Sequence, residues 1–368
     1  MKEINIARVL VLKRREKGIT QDELATYMGV SKASVSKWET EQSYPDITFL
    51  PKLAAYFNIS IDDLMGYAPQ MEKADIKRLY LRLANDFANK PFKEVLAECR
   101  EIVKKYYSCF PLLSKMAVLY INHYTLAVTA DERIAILREA VELCHRVHAE
   151  SEDVLLGREA ITLEAACHMM LGEPQAVLDL LGEEVGLFST EGTLIGQAYQ
   201  LLGQVQKALE TSQIGIYQHL VMLVGESATY LTLCASDESR TGEIIRRTLA
   251  ISDLFELEEL HSNTMAQFYL AAAYANTQQG KQDKAMDMLR RYAGLCRNFR
   301  YTLHGDTYFD ALQSWFEHFD LGVEAPRNEK LIKESMVVAV SQNPAFTPLA
   351  EVPGFRSLVE TLKANLDV

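Results

Sequence analysis

The sequence predicts an all-α protein in two unequal parts, and three observations carry that expectation. Apolar residues recur at helical spacing along nearly the whole chain. Strand-like alternation bounded by turn residues is hard to find anywhere in it. The helical pattern breaks at GYAPQMEKAD (66–75), where Gly66 and Pro69 separate short helical stretches upstream from longer amphipathic ones downstream. The expected organisation is a domain over 1–66, a linker over 67–75 and a helical body over 76–368.

Within the first part, TQDELATYMGVSKASVSKWE (20–39) carries the most information. Thr20 is placed as a helix N-cap, and Glu23 three residues on completes a capping box. Leu24, Ala25 and Met28 then form the inner face of that helix, with Ala25 small where two helices cross closely. Gly29 supplies a left-handed turn residue and Val30 plugs the corner. Ser31 caps the next helix, whose Val35 and Trp38 face inward at i and i+3. Lys32, Ala33, Ser36 and Lys37 are left pointing outward, on a helix short enough to enter a DNA major groove.

These residues resemble the Cro/repressor (XRE) helix-turn-helix family over roughly residues 4–66. The likeness includes RREKGIT before the motif and SYPDITFLPKLAAYFNISIDDLMG after it. The resemblance implies a five-helix domain whose third helix, 31–39, reads the major groove of double-stranded DNA. It places Gln21 at a phosphate and Ser31, Lys32, Ala33, Ser36 and Lys37 at or beside the bases. It also implies an internal pair between Arg14 and Glu39. Position 41 departs from the family: Glu41 stands where a glycine is common, and a left-handed backbone there costs a non-glycine residue roughly 1 kcal/mol. The loop is therefore expected to run differently from the family's.

The body repeats itself. LIGQAYQLLGQVQKALE (194–210) places Ile195, Gly196, Tyr199, Gly203 and Ala208 at the offsets of a tetratricopeptide repeat. Weaker copies turn at Gly172, before Pro174 and Ala176, and at Gly280, before Ala285 and Leu289. Gly242 falls near the middle of the longest gap, and NPAFTPLAEVPGFRSLVETL (343–362) resembles the closing stretch of such arrays. The expected architecture is a solenoid of helical hairpins. A helix-turn-helix joined to such a solenoid resembles the peptide-sensing regulators of the Rgg/PlcR/PrgX group. That likeness implies a short signalling peptide in the concave face, bonded by Asn and Gln side chains. Asn122, Gln197, Gln200, Asn263, Gln267 and Asn276 are the candidates, with Tyr120, Tyr124 and Tyr274 as apolar walls. A protein-docking scaffold and a purely dimerising body are the alternatives.

Charge and composition bound the rest. The chain carries a net charge of −12. Residues 1–37 nevertheless hold eight Lys/Arg against four acids, and 1–68 holds nine of each, so the excess acid lies wholly beyond residue 68. A basic end on an acidic body fits contact with nucleic acid through one face. The six cysteines have no paired spacing, no export signal precedes them, and no apolar run approaches the roughly 18 residues that span a bilayer. A cytoplasmic protein with free buried thiols and no membrane association is expected. No nucleophile elbow, Walker loop, dinucleotide fingerprint or zinc-protease helix is present, so neither an enzymatic activity nor a cofactor is expected. Cys144, His145 and His148 lie at helical spacing, but without a second ligand pair no metal is expected. One recognition helix reads too few base pairs for a unique site, which implies a homodimer on a pseudo-palindromic operator.

Overall fold

The computed structural model describes residues 5–66, 71–184, 191–319 and 321–368. Among them every regular element is helical. Residues 67–70 of the expected linker, Pro69 among them, lie outside the described residues, and helix already resumes at Lys73. No helix among the described residues is long and apolar enough to cross a membrane. The chain divides into two compact units, one comprising residues up to Glu72 with Val103–Leu112 and the other comprising the remainder.

In the first unit, α1 (Ile6–Glu16), α2 (Gln21–Met28) and α3 (Lys32–Glu39) are followed by a 3-10 turn, Ile47–Phe49. Two more helices, α4 (Leu50–Phe57) and α5 (Ile61–Met65), complete it. Leu10, Leu24, Val35, Leu53 and Leu64 are wholly buried at its centre, with Ala25, Met28 and Trp38 packed around them. The indole of Trp38 closes this core against Phe49, ring centre to ring centre 5.8 Å. Capping boxes start α2 (Thr20 with Glu23) and α5 (Ser60 with Asp63), so the first-turn amides have partners before any packing occurs. Gly66 ends α5 in the left-handed region at φ 61°. A side chain there would also come within 2.9 Å of Asn5 Cβ, so both backbone and space require glycine.

Downstream run α6 (Lys73–Asn89), α7 (Phe92–Lys105), α8 (Phe110–His123), α9 (Ala130–Glu150) and α10 (Val154–Met170). Then come α11 (Pro174–Leu181), α12 (Glu191–Leu201), α13 (Val205–Leu233), α14 (Glu238–Leu254) and α15 (Leu257–Leu260). The chain finishes with α16 (Ser262–Gln278), α17 (Gln282–Arg297), α18 (Gln313–Glu317), α19 (Glu329–Ser341) and α20 (Phe355–Leu366). Consecutive helices pack as hairpins in α9/α10, α10/α11, α12/α13 and α16/α17.

The three glycines expected to turn hairpins do so, at Gly172, Gly203 and Gly280, with φ of 74°, 72° and 68°. Each makes the same pair of bonds: the glycine N–H returns to the carbonyl three residues back, and the next N–H to the one five back. Gly242 is a correction. It lies inside α14 and not at a turn, and α13 runs unbroken for 29 residues before it. The stretch between Gly203 and Gly280 is therefore not two further regular hairpins. A continuous core from Tyr217 to Leu366 joins α13 to α20, with the Tyr292 hydroxyl donating to Met336 O at 3.0 Å.

The two kinds of glycine should respond oppositely to one methyl group, because neither Gly280 nor Gly242 has an atom within 4 Å of an added Cβ. Gly280→Ala, at positive φ, is expected to destabilise the chain by about 1 kcal/mol. Gly242→Ala, in a helix interior, should stabilise it by about 0.5–1 kcal/mol. Thermal melts of the two variants must shift in opposite directions.

Candidate nucleic-acid interface

The turn between α2 and α3 is built from local bonds. Gly29 stands at φ 72°, its N–H bonded to Thr26 O, and the Val30 N–H returns to Ala25 O. Ser31 then caps α3, its hydroxyl accepting from the Ser34 N–H at 3.1 Å. With Val35 and Trp38 buried, Ser31, Lys32, Ala33 and Lys37 are exposed and Ser36 half-exposed on the opposite side. The sequence-predicted reading residues therefore share one face of α3. Three side chains are short and two are cationic, a set able to approach base edges closely while meeting phosphate charge.

A three-residue network fixes this face to α1. Arg14 forks onto Glu39, Nε to Oε1 at 2.6 Å and Nη2 to Oε2 at 2.9 Å, and its Nη1 donates to Ile19 O at 2.9 Å. Gln21 Nε2 donates to the same Glu39 Oε2 at 2.9 Å. The Glu39 side chain is only 4% exposed and that of Arg14 14%. Burial pushes the Glu39 carboxyl up, but the bonds from Arg14 and Gln21 and the charges of Arg14 and Arg15 outweigh it and hold the group below the usual range. The same bond to Glu39 raises Arg14, against its own burial. The ion pair expected between Arg14 and Glu39 is thus present, and Arg14 is taken up internally. Gln21 sits at the first turn of α2, where a phosphate contact was expected, with its amide held by Glu39.

Other cations beside this face differ in availability. Lys17 is committed, its ammonium 3.8 Å above the Tyr56 ring, and Lys13 pairs with Glu16 at 2.8 Å. Glu41 adopts φ 61°. The loop after α3 thus takes the left-handed turn at position 41 despite the missing glycine. The Gln42 N–H bonds to Lys37 O at 2.9 Å and holds that turn onto the end of α3.

Residues 11–64 match the helix-turn-helix family model. The first unit therefore carries a helix-turn-helix domain of the kind its sequence resembles. Among curated proteins, the HTH-type transcriptional activator BcrR of Enterococcus faecalis is 30% identical over 73 residues. The match covers 18% of this chain and 36% of that protein, so the chain spans only about a third of the relative's length. Among solved structures, the apo form of the competence regulator ComR from Streptococcus vestibularis aligns over 86% of this chain and 97% of its own. The identity is 13% and the TM-score 0.23, too low to establish a common arrangement.

Beyond the helix-turn-helix domain, α12 and α13 with the end of α14 form an open groove of about 1530 Å³. Gly196, Gln197, Gln200, Thr211, His219 and Glu226 are among its lining. Only Gln197 and Gln200 of the six expected ligand residues face it. Asn263 and Gln267 are exposed one turn apart on α16 and are absent from its lining. Asn122 is half-buried, donating to the Tyr80 hydroxyl at 3.3 Å. Asn276 is a correction: it is 4% exposed, its amide donating to Ala272 O of its own helix at 2.8 Å, so it faces no open surface. Tyr120 is likewise buried, and Tyr124 and Tyr274 half-buried, so none of the three walls this groove. Thr211, His219 and Glu226 went unnoticed in the sequence because they lie on the second helix of the hairpin, whose register against the first is not written locally.

The Arg14–Glu39 pair makes a test of the helix-turn-helix domain. Glu39→Ala leaves a mostly buried guanidinium without its partner and is expected to destabilise fragment 1–68 by up to about 3 kcal/mol. A carboxyl held low in the fold contributes stability above its unfolded value of about 4.3, and that contribution disappears as the pH falls further. The melting temperature of the wild-type fragment should drop below that pH more steeply than that of Glu39→Ala. Equal profiles would place the carboxylate in solvent.

Proposed function

We propose that this protein is a sequence-specific DNA-binding regulator of transcription. It acts as a homodimer on a pseudo-palindromic operator, and its helical body takes up a short peptide. The observation that carries the reading is the α3 face: Lys32, Ala33, Ser36 and Lys37 on the outside, with the backbone behind them locked by Glu39, Arg14 and Gln21. That is the rigid, shallow, cationic surface that major-groove recognition requires. Gln21 reaches the backbone of DNA from the start of α2, where the helix-end amides favour an anion. The match to a helix-turn-helix model and the likeness to a transcriptional activator support the same reading.

The peptide reading rests on the groove between α12 and α13. Its volume exceeds the roughly 300–1,000 Å³ of small-molecule sites, and two amide side chains, Gln197 and Gln200, stand one turn apart along it. Such amides bond an extended backbone irrespective of its side chains, leaving the pocket shape to select sequence. Pairing of two copies draws on a separate observation. Leu201 at the end of α12, Leu202 in the turn after it and Leu233 at the end of α13 are exposed, Leu201 by 90%, and none of them lines the groove. Apolar surface of that kind on a soluble chain marks a contact site.

Lys32→Ala is expected to weaken binding to the operator by roughly 1–3 kcal/mol while changing binding to random duplex much less. Gln21→Ala should weaken both alike, since a phosphate contact carries no base information. Titration of matched specific and random duplexes separates the two. An unchanged discrimination ratio in Lys32→Ala would move the reading face elsewhere. Footprinting should give two half-sites one helical turn, or a multiple of it, apart. A chain that remains monomeric in light scattering, both free and on its operator, would sink the dimer.

A further inference from the structure

We propose that His145, His148 and Glu164 form a binding site for a divalent transition-metal ion of the zinc class, bridging α9 and α10. The two histidines lie one turn apart on α9, and Glu164 comes from the helix packed against it. Sequence spacing offered the histidines alone. The third ligand arrives only through the register of the hairpin, 16 residues beyond His148. Gly157 lies where α10 passes α9, and a methyl there would meet His148 Cα at an ordinary contact distance of 3.8 Å.

Glu164 Oε2 lies 3.0 Å from His148 Nε2, and Glu164 Oε1 lies 3.7 Å from His145 Nδ1. The three ligand atoms all fall within 4.8 Å of one another, the one such convergence of His, Cys, Asp or Glu among the described residues. Around a tetrahedral ion with bonds of about 2.0–2.1 Å, neighbouring ligand atoms stand about 3.3 Å apart. The two contacts to Glu164, one from each carboxylate oxygen, stand on either side of that spacing, and the ligand atoms, within 4.8 Å of one another, would draw together around the ion.

A hydrogen-bonded ion pair explains the cluster less well. Glu164 is 6% exposed, and a buried carboxylate needs a cation or full hydrogen bonding. Yet Glu164 Oε2 and His148 Nε2, both cut off from solvent, face each other at 3.0 Å without the alignment of a hydrogen bond. An ion held between them would give both of these buried atoms a partner. The His145 side chain, 63% exposed, leaves that point an entrance from solvent and room for a water as fourth ligand. Two imidazoles with one carboxylate select zinc, cobalt or nickel over calcium and magnesium, which require mainly oxygen.

The test uses the untagged, metal-stripped full-length chain, titrated calorimetrically with Zn²⁺ and followed with Co²⁺ in the visible spectrum. One ion per chain is expected, with the cobalt d–d bands of a nitrogen–oxygen site and no thiolate charge-transfer band. His145→Ala and Glu164→Gln should each weaken binding about tenfold or more, a loss of the size that even outer-shell changes produce. Zinc should raise the melting temperature of the wild-type chain and not that of His145→Ala. If Glu164→Gln lowers the metal-free melting temperature, His145→Ala still decides, because its ring lies at the surface. Absence of saturable binding, affinity unchanged from wild type in both variants, or a thiolate band from the cysteines would each overturn the proposal.

Discussion

A helix can fold back on the next only if the chain leaves the right-handed region at its end, and most of this structure hangs on how that is done. The same closure recurs at Gly29–Val30, Asn58–Ile59, Gly172–Glu173, Gly203–Gln204 and Gly280–Lys281. In each, one N–H returns three residues and the next returns five. In the helix-turn-helix domain this closure sets α3 against α2. In the helical body it sets α11 onto α10, α13 onto α12 and α17 onto α16. Reading face and groove are both products of a left-handed residue followed by a helix start.

The second determinant is where charge is spent. In the helix-turn-helix domain, Arg14, Lys17 and Lys13 all find partners within the fold, at Glu39, Tyr56 and Glu16. Lys32 and Lys37 remain on the outer side of α3. The basic excess of residues 1–37 is therefore not a uniform cationic coat. Part of it is structural, while Arg8 and Arg15 on α1 and Lys32 and Lys37 on α3 stay exposed. Glu39 organises this division, because it accepts from both Arg14 and Gln21 and so ties the end of α1 and the beginning of α2 to the end of α3.

What could be read from the sequence was what is local in it. The capping box of Thr20 and Glu23, the turn at Gly29 and the inward phase of Val35 and Trp38 each depend on residues within one or two helical turns. All of these appear in the fold. The hairpin glycines at 172, 203 and 280 were legible for the same reason. Gly242 was not, because a glycine inside a helix and one at its end look alike when only spacing is counted. The Arg14–Glu39 pair spans 25 residues, and family likeness supplied it where periodicity could not. Asn276 misled because an amide among alanines looks like a surface group, whereas a bond to its own helix at Ala272 allows it to be buried. Glu164 beside two histidines depends on inter-helix register, which no local pattern encodes.

The hairpins also carry a consequence for time. Contacts across a glycine turn join residues close in sequence, so little loop entropy is lost in making them, and such units form in the fastest range open to a chain. The α16/α17 hairpin can therefore assemble as soon as both helices exist. The 3-10 segment Pro344–Leu349 packs on α16 and α20 on α17, and the Tyr292 hydroxyl of α17 donates to Met336 of α19, so part of its cover comes from segments made later. Phe346, Leu349 and Leu362 supply the buried side chains of that closure. During synthesis the hairpin thus presents apolar surface until these later segments emerge. That interval is when the nascent protein is most exposed to mispairing and has most need of a chaperone.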